Sequence, residues 1–291
     1  MAILTITHTT IYRYANPVTF GEHRMMMRPR GSHDLRLLDT ALTISPAATV
    51  RWIHDVFGNS IAIAKFDKSA AELHVESMFR AEHFPLAEQH VEIEDYARHH
   101  PFSYDATEAP DIGRTIERHY PDPGHLLDTW VRRFVEEAPD NDTMAILSAI
   151  TKGIQAEFTY NPRDEMGTQD PITTLTSGTG TCRDFALLMM EAARTLGFAA
   201  RFVSGYLYDD SRIGGGEESL IGGGVTHAWT EIYLPGAGWV PFDPTNGLIS
   251  DRNLIRVAVT RDPSQAVPMR GNFTGNPNDF LGMDVKVEIL A

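Results

Sequence analysis

With one cysteine, Cys182, in 291 residues, the chain has no internal disulfide. A cross-linked scaffold of the secreted kind is thereby excluded, and the thiol needs another explanation. Taken alone, a lone cysteine is ordinarily an inert, buried small side chain. Basic residues are also scarce, since 25 Lys and Arg face 39 Asp and Glu for a net charge of -14. Such a surface repels polyanions, which argues against nucleic acid or an anionic membrane as partner and favours small, neutral or basic ones. No apolar run approaches the roughly 18 residues of a spanning helix, and MAILTITHTTIYRY has no basic segment leading into an apolar one. The expectation is a soluble, cytoplasmic protein. HExxH, a paired-cysteine knuckle, Walker A and the dinucleotide fingerprint are all missing, so no metal or cofactor is expected. His99-His100 is adjacent rather than at ligand spacing and reads as exposed.

What is there is a globular composition, 42% hydrophobic and 22% charged, long enough for one large domain or two ordinary ones. The first eighty or so residues alternate with period two, as at Leu4, Ile6 and His8 and again at Ile61, Ile63 and Lys65, which predicts antiparallel strands. In TVRWIHDVFGNSIAIAKF, Gly58-Asn59 stands between two alternating runs and predicts a hairpin turn. Further strands are expected at 37–45 and 71–80. Short strands with one buried face need a second sheet to cover them, so residues 1–88 are expected to form a β-sandwich domain.

Pro85, Pro101, Pro110, Pro121 and Pro123 interrupt any long element between about 85 and 125, and the domain boundary is placed at the start of that stretch. Residues 89–291 are expected to form a second domain, with a helical lead-in and a C-terminal return strand. Leu127, Val131 and Phe134 share one face of HLLDTWVRRFVEEA; Met144, Leu147, Ile150 and Ile154 do so in DTMAILSAITKGIQAEF, with Asp140 or Asn141 as its cap. TSGTGTC predicts a loop opening onto a helix that ends at Gly197. ARFVSGYLY, HAWTEIYL and GWVPFD follow as strands, the last two joined through PGAG as a hairpin. Val285, Val287 and Ile289 predict an edge strand returning to one of the sheets.

Cys182 falls where the loop becomes the helix, so its sulfur is expected near free backbone N–H groups and the positive end of the helix dipole, which favour the reactive thiolate. Arg183 adds to that effect if it turns toward the sulfur, whereas Asp184 is expected to complement the first helical turn. Gly178 and Gly180 either admit a substrate backbone or simply make the turn. A thiolate that splits amides needs an acid to protonate the departing amine, usually a histidine held by a third polar group. His227 opens the strand HAWTEIYL and Asp243 ends GWVPFD. If PGAG makes a hairpin, the two are cross-strand neighbours, as an imidazole and its orienting carboxylate should be. Trp229, Trp239 and Phe242 are expected in the core or rim around them. The run from Asp209 to Gly224, with GGG at 214–216 and 222–224, reads as a surface connection or a lid over the cleft.

GTCRDFALLMMEAARTLGFAARFVSGYL and THAWTEIYLPGAGWVPFDPTN, in that order, resemble the bacterial transglutaminase-like proteins of the papain-like superfamily. HTTIYRYANPV, MMRPR and DVFGNSIAIAKF resemble the β-rich N-terminal domain of the same subgroup, so the resemblance spans essentially the whole chain. It implies an α+β fold in which helices pack on an antiparallel sheet, preceded by the β-sandwich. It also implies that Cys182 is the nucleophile, His227 the general acid/base and Asp243 the residue that orients it. The expected function is a thiol-dependent acyl hydrolase or acyltransferase on peptide or protein amides, working through a thioester, with protease or amidase action slightly ahead. Glutamine transglutamination with an amine acceptor and a non-catalytic peptide-binding module are the alternatives. The Cys182 N–H is the natural first oxyanion donor, and Tyr160 in FTYNP is offered as a second or as a packed aromatic. The N-terminal domain carries no candidate catalytic residue and is a possible site for a protein partner.

Overall fold

The structure is a computed structural model that describes residues 2–84, 91–162, 167–208, 220–221, 225–250 and 253–290. Both the expected boundary at 88/89 and most of the glycine-rich run, residues 209–219 and 222–224, lie outside the described residues.

The period-two alternation does produce a sandwich. Its strands are β1 (Ala2–Phe20), β2 (His23–Arg28), β3 (Leu35–Ser45), β4 (Ala48–His54), β5 (Ser60–Phe66) and β6 (Ala70–His83). One sheet runs β1-β6-β3 and the other β2-β5-β4, all antiparallel. Successive side chains point to opposite faces. Tyr14, Val18, Leu73 and Val75 of the first sheet therefore meet Met25, Met27, Ala62 and Ala64 of the second in one buried cluster. The β4–β5 turn uses Gly58 at φ 76°, a left-handed conformation that costs glycine no Cβ clash. Asp55 closes this turn by accepting from the N–H groups of Phe57 and Asn59. Asn59 does more than turn the chain, because its amide bonds the backbone of Val259, 200 residues later. That polar clamp fastens the hairpin to the other half of the molecule.

Past the sandwich the chain forms α1 (Ala109–Ile116), α2 (Leu126–Glu137) and α3 (Thr143–Glu157), then β7 (Thr159–Tyr160), α4 (Pro171–Ser177), β8 (Thr179–Gly180) and α5 (Cys182–Thr195). Leu127, Val131 and Phe134 are the buried face of α2, as their spacing predicts. Helix α3 buries Ile146 along with Leu147, Ile150 and Ile154, and Met144 lies at its margin. Its cap is Asp142, whose carboxylate accepts from Ala145 N at 2.7 Å, rather than Asp140 or Asn141. Those two adopt φ 52° and make the preceding turn, which shifts the first helical residue past them. Helix α1 was not expected because Pro110 reads as an interruption, and α4, which Pro171 opens, was not expected either. Both prolines sit in the first turn, where the missing N–H is no loss.

Five antiparallel strands follow, in the order β12-β11-β10-β9-β13: β9 (Ala200–Leu207), β10 (Thr226–Leu234), β11 (Gly238–Asp243), β12 (Leu248–Ile249) and β13 (Leu254–Thr260). Helix α5 lies across this sheet, with Ala186, Met189, Met190 and Ala193 buried against Phe202, Ala228 and Ile232. It ends at Gly197, φ 85°, where Phe198 N reaches back to Ala193 O. The α+β expectation of helices packed on an antiparallel sheet behind a β-rich N-terminal region holds.

The C-terminal segment then leaves this sheet. Strands β14 (Met269–Arg270), β15 (Phe273–Thr274) and β16 (Phe280–Leu290) pair with β2, β1 and β1 respectively. The sandwich is thus built from both ends of the chain. Among the described residues no helix is long and apolar enough to cross a membrane.

Candidate active site

Cys182 is the first residue of α5 and is buried among the helix–sheet core residues. What starts the helix there is a capping box, in which Asp184 accepts from Thr181 N at 2.8 Å and Thr181 Oγ1 at 2.9 Å. The other Asp184 oxygen accepts from Gln169 N at 2.6 Å. Asp184 thus complements the first turn, as its position predicts. Arg183 reaches the carbonyl of Pro263 at 2.9 Å and lies over the Phe202 ring. Gly178 caps α4 at φ 66°, and Gly180 lets the chain pass close to Asp184 and Phe185.

His227, near the start of β10, donates through Nε2 to Asp243 Oδ2 at 2.8 Å, and both side chains are fully buried. The hairpin register pairs Thr230 with Phe242. Extending it sets Asp243 opposite Trp229 and diagonal to His227, so the contact is the longer cross-strand diagonal rather than a direct pair. Trp229 stacks beside His227 and is itself core, its ring filling the space that Gly205 leaves open. Phe242 is equally buried, while Trp239 packs under Arg201 and Tyr233.

The remaining ring nitrogen, His227 Nδ1, is buried with no hydrogen-bond partner among the described residues, and Cys182 is one of the groups that act on the ring. Burial by itself lowers the imidazole pKa, but the Asp243 charge and hydrogen bond, with Cys182 contributing, outweigh it and hold the ring well above its ordinary value. Burial likewise works to raise Asp243, yet its pKa ends below the usual carboxylate range because His227, Asn246 and the Thr245 N–H all favour the charged form. The α5–sheet packing, including Thr230 Oγ1 donating to Ala186 O at 2.6 Å, brings the start of the helix over this pair. The structure thus joins His227 to Asp243 by a hydrogen bond and places Cys182 and His227 on the wall of one cavity.

Asn246 is a part of this site that sequence reasoning missed. Its Nδ2 donates to Asp243 Oδ2 at 2.8 Å, while its carbonyl oxygen accepts from Gln155 of α3. The signal was present in Asp243-Pro-Thr-Asn246, where a carboxylate accepting from the N–H two residues on is an Asx turn. Asn246→Ala is expected to cost about 1.5–3 kcal/mol, the worth of a buried hydrogen bond to a charged group. Urea unfolding measures it, and a loss under about 0.5 kcal/mol would show that the amide does not hold the carboxylate.

Tyr160 lies alongside, since β7 pairs in parallel with β8, the strand that runs into Cys182. Its ring packs edge-on against Phe185. The phenol pKa is pushed up to about 12 by burial, Cys182 and Asp184, so the hydroxyl keeps its proton. His100 is half-buried, bonding the Leu196 carbonyl at 2.9 Å, and thus departs from the exposed reading.

Cys182 and His227 open into a cavity of about 510 Å³. Its opposite wall comes from β1 and β16, and Asp243 stands behind the histidine, out of the cavity.

Comparison with known proteins agrees with this architecture. The family model described as the transglutaminase-like superfamily matches residues 128–244, and that for the bacterial transglutaminase-like N-terminal region matches residues 4–82. An uncharacterized protein of Mycobacterium tuberculosis is 27% identical over 98% of this chain and 91% of its own length. Another, of Mycobacterium leprae, is 24% identical over 99% of both. The crystal structure of a "Putative Cysteine Protease from Cytophaga hutchinsonii" shares the fold with a TM-score of 0.72 at 18% identity, covering 99% of this chain and 91% of that one. The core of this chain, residues 128–244, is thus similar to the transglutaminase-like superfamily, and residues 4–82 ahead of it to the bacterial transglutaminase-like N-terminal region.

Proposed function

We propose that the protein is a thiol-dependent acyl hydrolase acting on amide or peptide bonds, with Cys182 as nucleophile, His227 as acid/base and Asp243 as the group that orients it. The observation that carries this reading is the buried His227, tied through Nε2 to Asp243 and lining a substrate-sized cavity together with Cys182.

In the first half-reaction Cys182 Sγ, paired as thiolate with a His227 that holds the proton, attacks the carbonyl carbon. The negative charge that develops on oxygen lies near the free N–H at the start of α5, and the protonated Tyr160 hydroxyl is the second candidate donor. As the C–N bond breaks, His227 returns its proton to the departing amine and leaves a thioester. In the second half, His227 removes a proton from the acceptor, which attacks the thioester and frees Sγ. Asp243 stays ionised throughout and stabilises the imidazolium. Water is favoured as acceptor because the wall facing Cys182 is open, with Met283 44% and Val285 49% exposed, so solvent reaches the thioester. The description of the Cytophaga hutchinsonii protein points the same way.

The test is mass spectrometry on a mixture of synthetic peptides incubated with wild type and Cys182→Ala, with and without a primary amine. Backbone cleavage or loss of ammonia by wild type alone is expected. Amine incorporation instead of hydrolysis would transfer the reading to a transglutaminase. No change of any peptide, together with a thiol that alkylates only after denaturation, would sink it.

A further inference from the structure

The cavity in front of Cys182 is made in part by a region of the molecule that carries no candidate catalytic residue. His8, Thr10 and Tyr12 of β1 and Met283 and Val285 of β16 all line it. They form one face of one strand pair, because Thr10 is across from Val285 and Tyr12 from Met283, and alternate residues share a face. The intervening residues, Arg13, Asp284 and Lys286, point the other way, where Arg13 and Asp284 form an ion pair and Lys286 pairs with Glu288. Every charge on this strand pair is therefore turned from Cys182, and the face toward it is uncharged.

His8 does not break the pattern. It is buried between the hydroxyls of Tyr206, at 2.8 Å, and Thr10, at 3.3 Å. That burial lowers its pKa to about 4, so the ring is neutral near pH 7. Across the cavity, Arg183 is occupied by the Pro263 carbonyl and the Phe202 face. Among the described residues no carboxylate lines the space. A charged substrate side chain laid on this strand-pair face would meet no opposite charge there, whereas an apolar one would cover Met283 and Val285.

We propose that this β1–β16 face is the specificity wall of the site, selecting acyl donors that carry an uncharged, apolar side chain beside the scissile amide. This rests on the acyl-transfer reading for the identity of the reaction. The N-terminal sandwich and the C-terminal strand are then parts of the substrate site, joined to the catalytic sheet by the Asn59–Val259 clamp.

The test uses labelling of the full-length protein, which needs no turnover. Iodoacetyl amides of leucine, aspartate and lysine are compared for their rate of reaction with Cys182, each relative to free iodoacetamide on the same variant. The leucine reagent is expected to react at least about tenfold faster than either charged one, on the scale of a mismatched pocket. The lysine arm is decisive, because the net charge of -14 by itself would favour the cationic reagent. Val285→Lys should raise the relative rate of the aspartate reagent, Val285→Glu that of the lysine reagent, and Met283→Lys should repeat the first result from a neighbouring position. Wild-type rates within twofold of each other, or ratios unmoved by these substitutions in folded protein, would overturn the wall. Selective labelling without any amide turnover would instead uphold the wall and overturn the acyl-transfer reading.

Discussion

Cys182→Ala is expected to abolish amide turnover, and His227→Ala to lower it by about four orders of magnitude or more, since members of such a unit fail together rather than additively. The alanine side chain offers no nucleophile, and nothing else in the chain replaces it, as Cys182 is the sole cysteine. Loss of His227 removes both the proton acceptor and the donor to the leaving amine. Iodoacetamide separates these effects because alkylation needs only the thiolate. Wild type should alkylate at a rate that stays flat through the neutral range, in which His227, raised to about 10 by Asp243 and Cys182 despite its burial, keeps its proton. His227→Ala should remove that plateau. Equal pH profiles for the two proteins would sink the assignment of His227. The same raised pKa has a stability consequence: the site stabilises the fold fully below about pH 6.5 and loses that contribution as pH climbs toward 10. Asp243 acts in the opposite direction, its contribution disappearing as pH falls through its depressed value.

The three residues proposed for the site stand out in the sequence for local reasons. Each lies at the end of an element whose periodicity is plain, and a short hairpin ties two of them together, so topology leaves little freedom. Asn246 was less visible because its partner is a side chain three residues back and its role comes from filling the last lone pairs of a buried carboxylate. Asn59 shows the limit more sharply. In sequence it reads as a turn residue, and the turn is there, but its amide is spent on Val259, a contact 200 residues away that no local pattern carries. Helix α4 was hidden for a third reason. Its Pro171 and Gly178 are ordinarily read as breakers, yet here they are the first helical residue and the left-handed C-cap, with Asp170 capping the start. The C-terminal alternation at Val285, Val287 and Ile289 announced a strand but not which sheet it joins, because an edge strand's partner is decided by tertiary packing.

Arg194→Ala is expected to destabilise the protein by about 3–5 kcal/mol, the range for breaking a buried pair by removing one partner. Arg194 and Glu191 lie one turn apart near the end of α5, both side chains wholly buried and joined at 2.8 Å. The guanidinium also donates to the carbonyls of Thr115, Ala200 and Arg261. It therefore ties α5 to the end of α1, the first residue of β9 and the chain leaving β13. Without it Glu191 keeps only the N–H groups of His119 and Tyr120 at 3.1 and 3.3 Å, too little to balance a desolvated negative charge, and three carbonyls lose a donor. Arg98→Ala is the control. Its pair with Asp95 is mostly exposed, and exposed pairs contribute about 0–1 kcal/mol. Urea unfolding of the two variants should differ several-fold in the free energy lost, and a loss for Arg194→Ala no larger than for Arg98→Ala would refute the role given to the buried pair. Cys182 stands at the opposite end of the same helix, held by its own capping box. Folded Arg194→Ala should therefore keep the alkylation profile of wild type even as its stability falls, which separates the anchoring of α5 from the chemistry at its start.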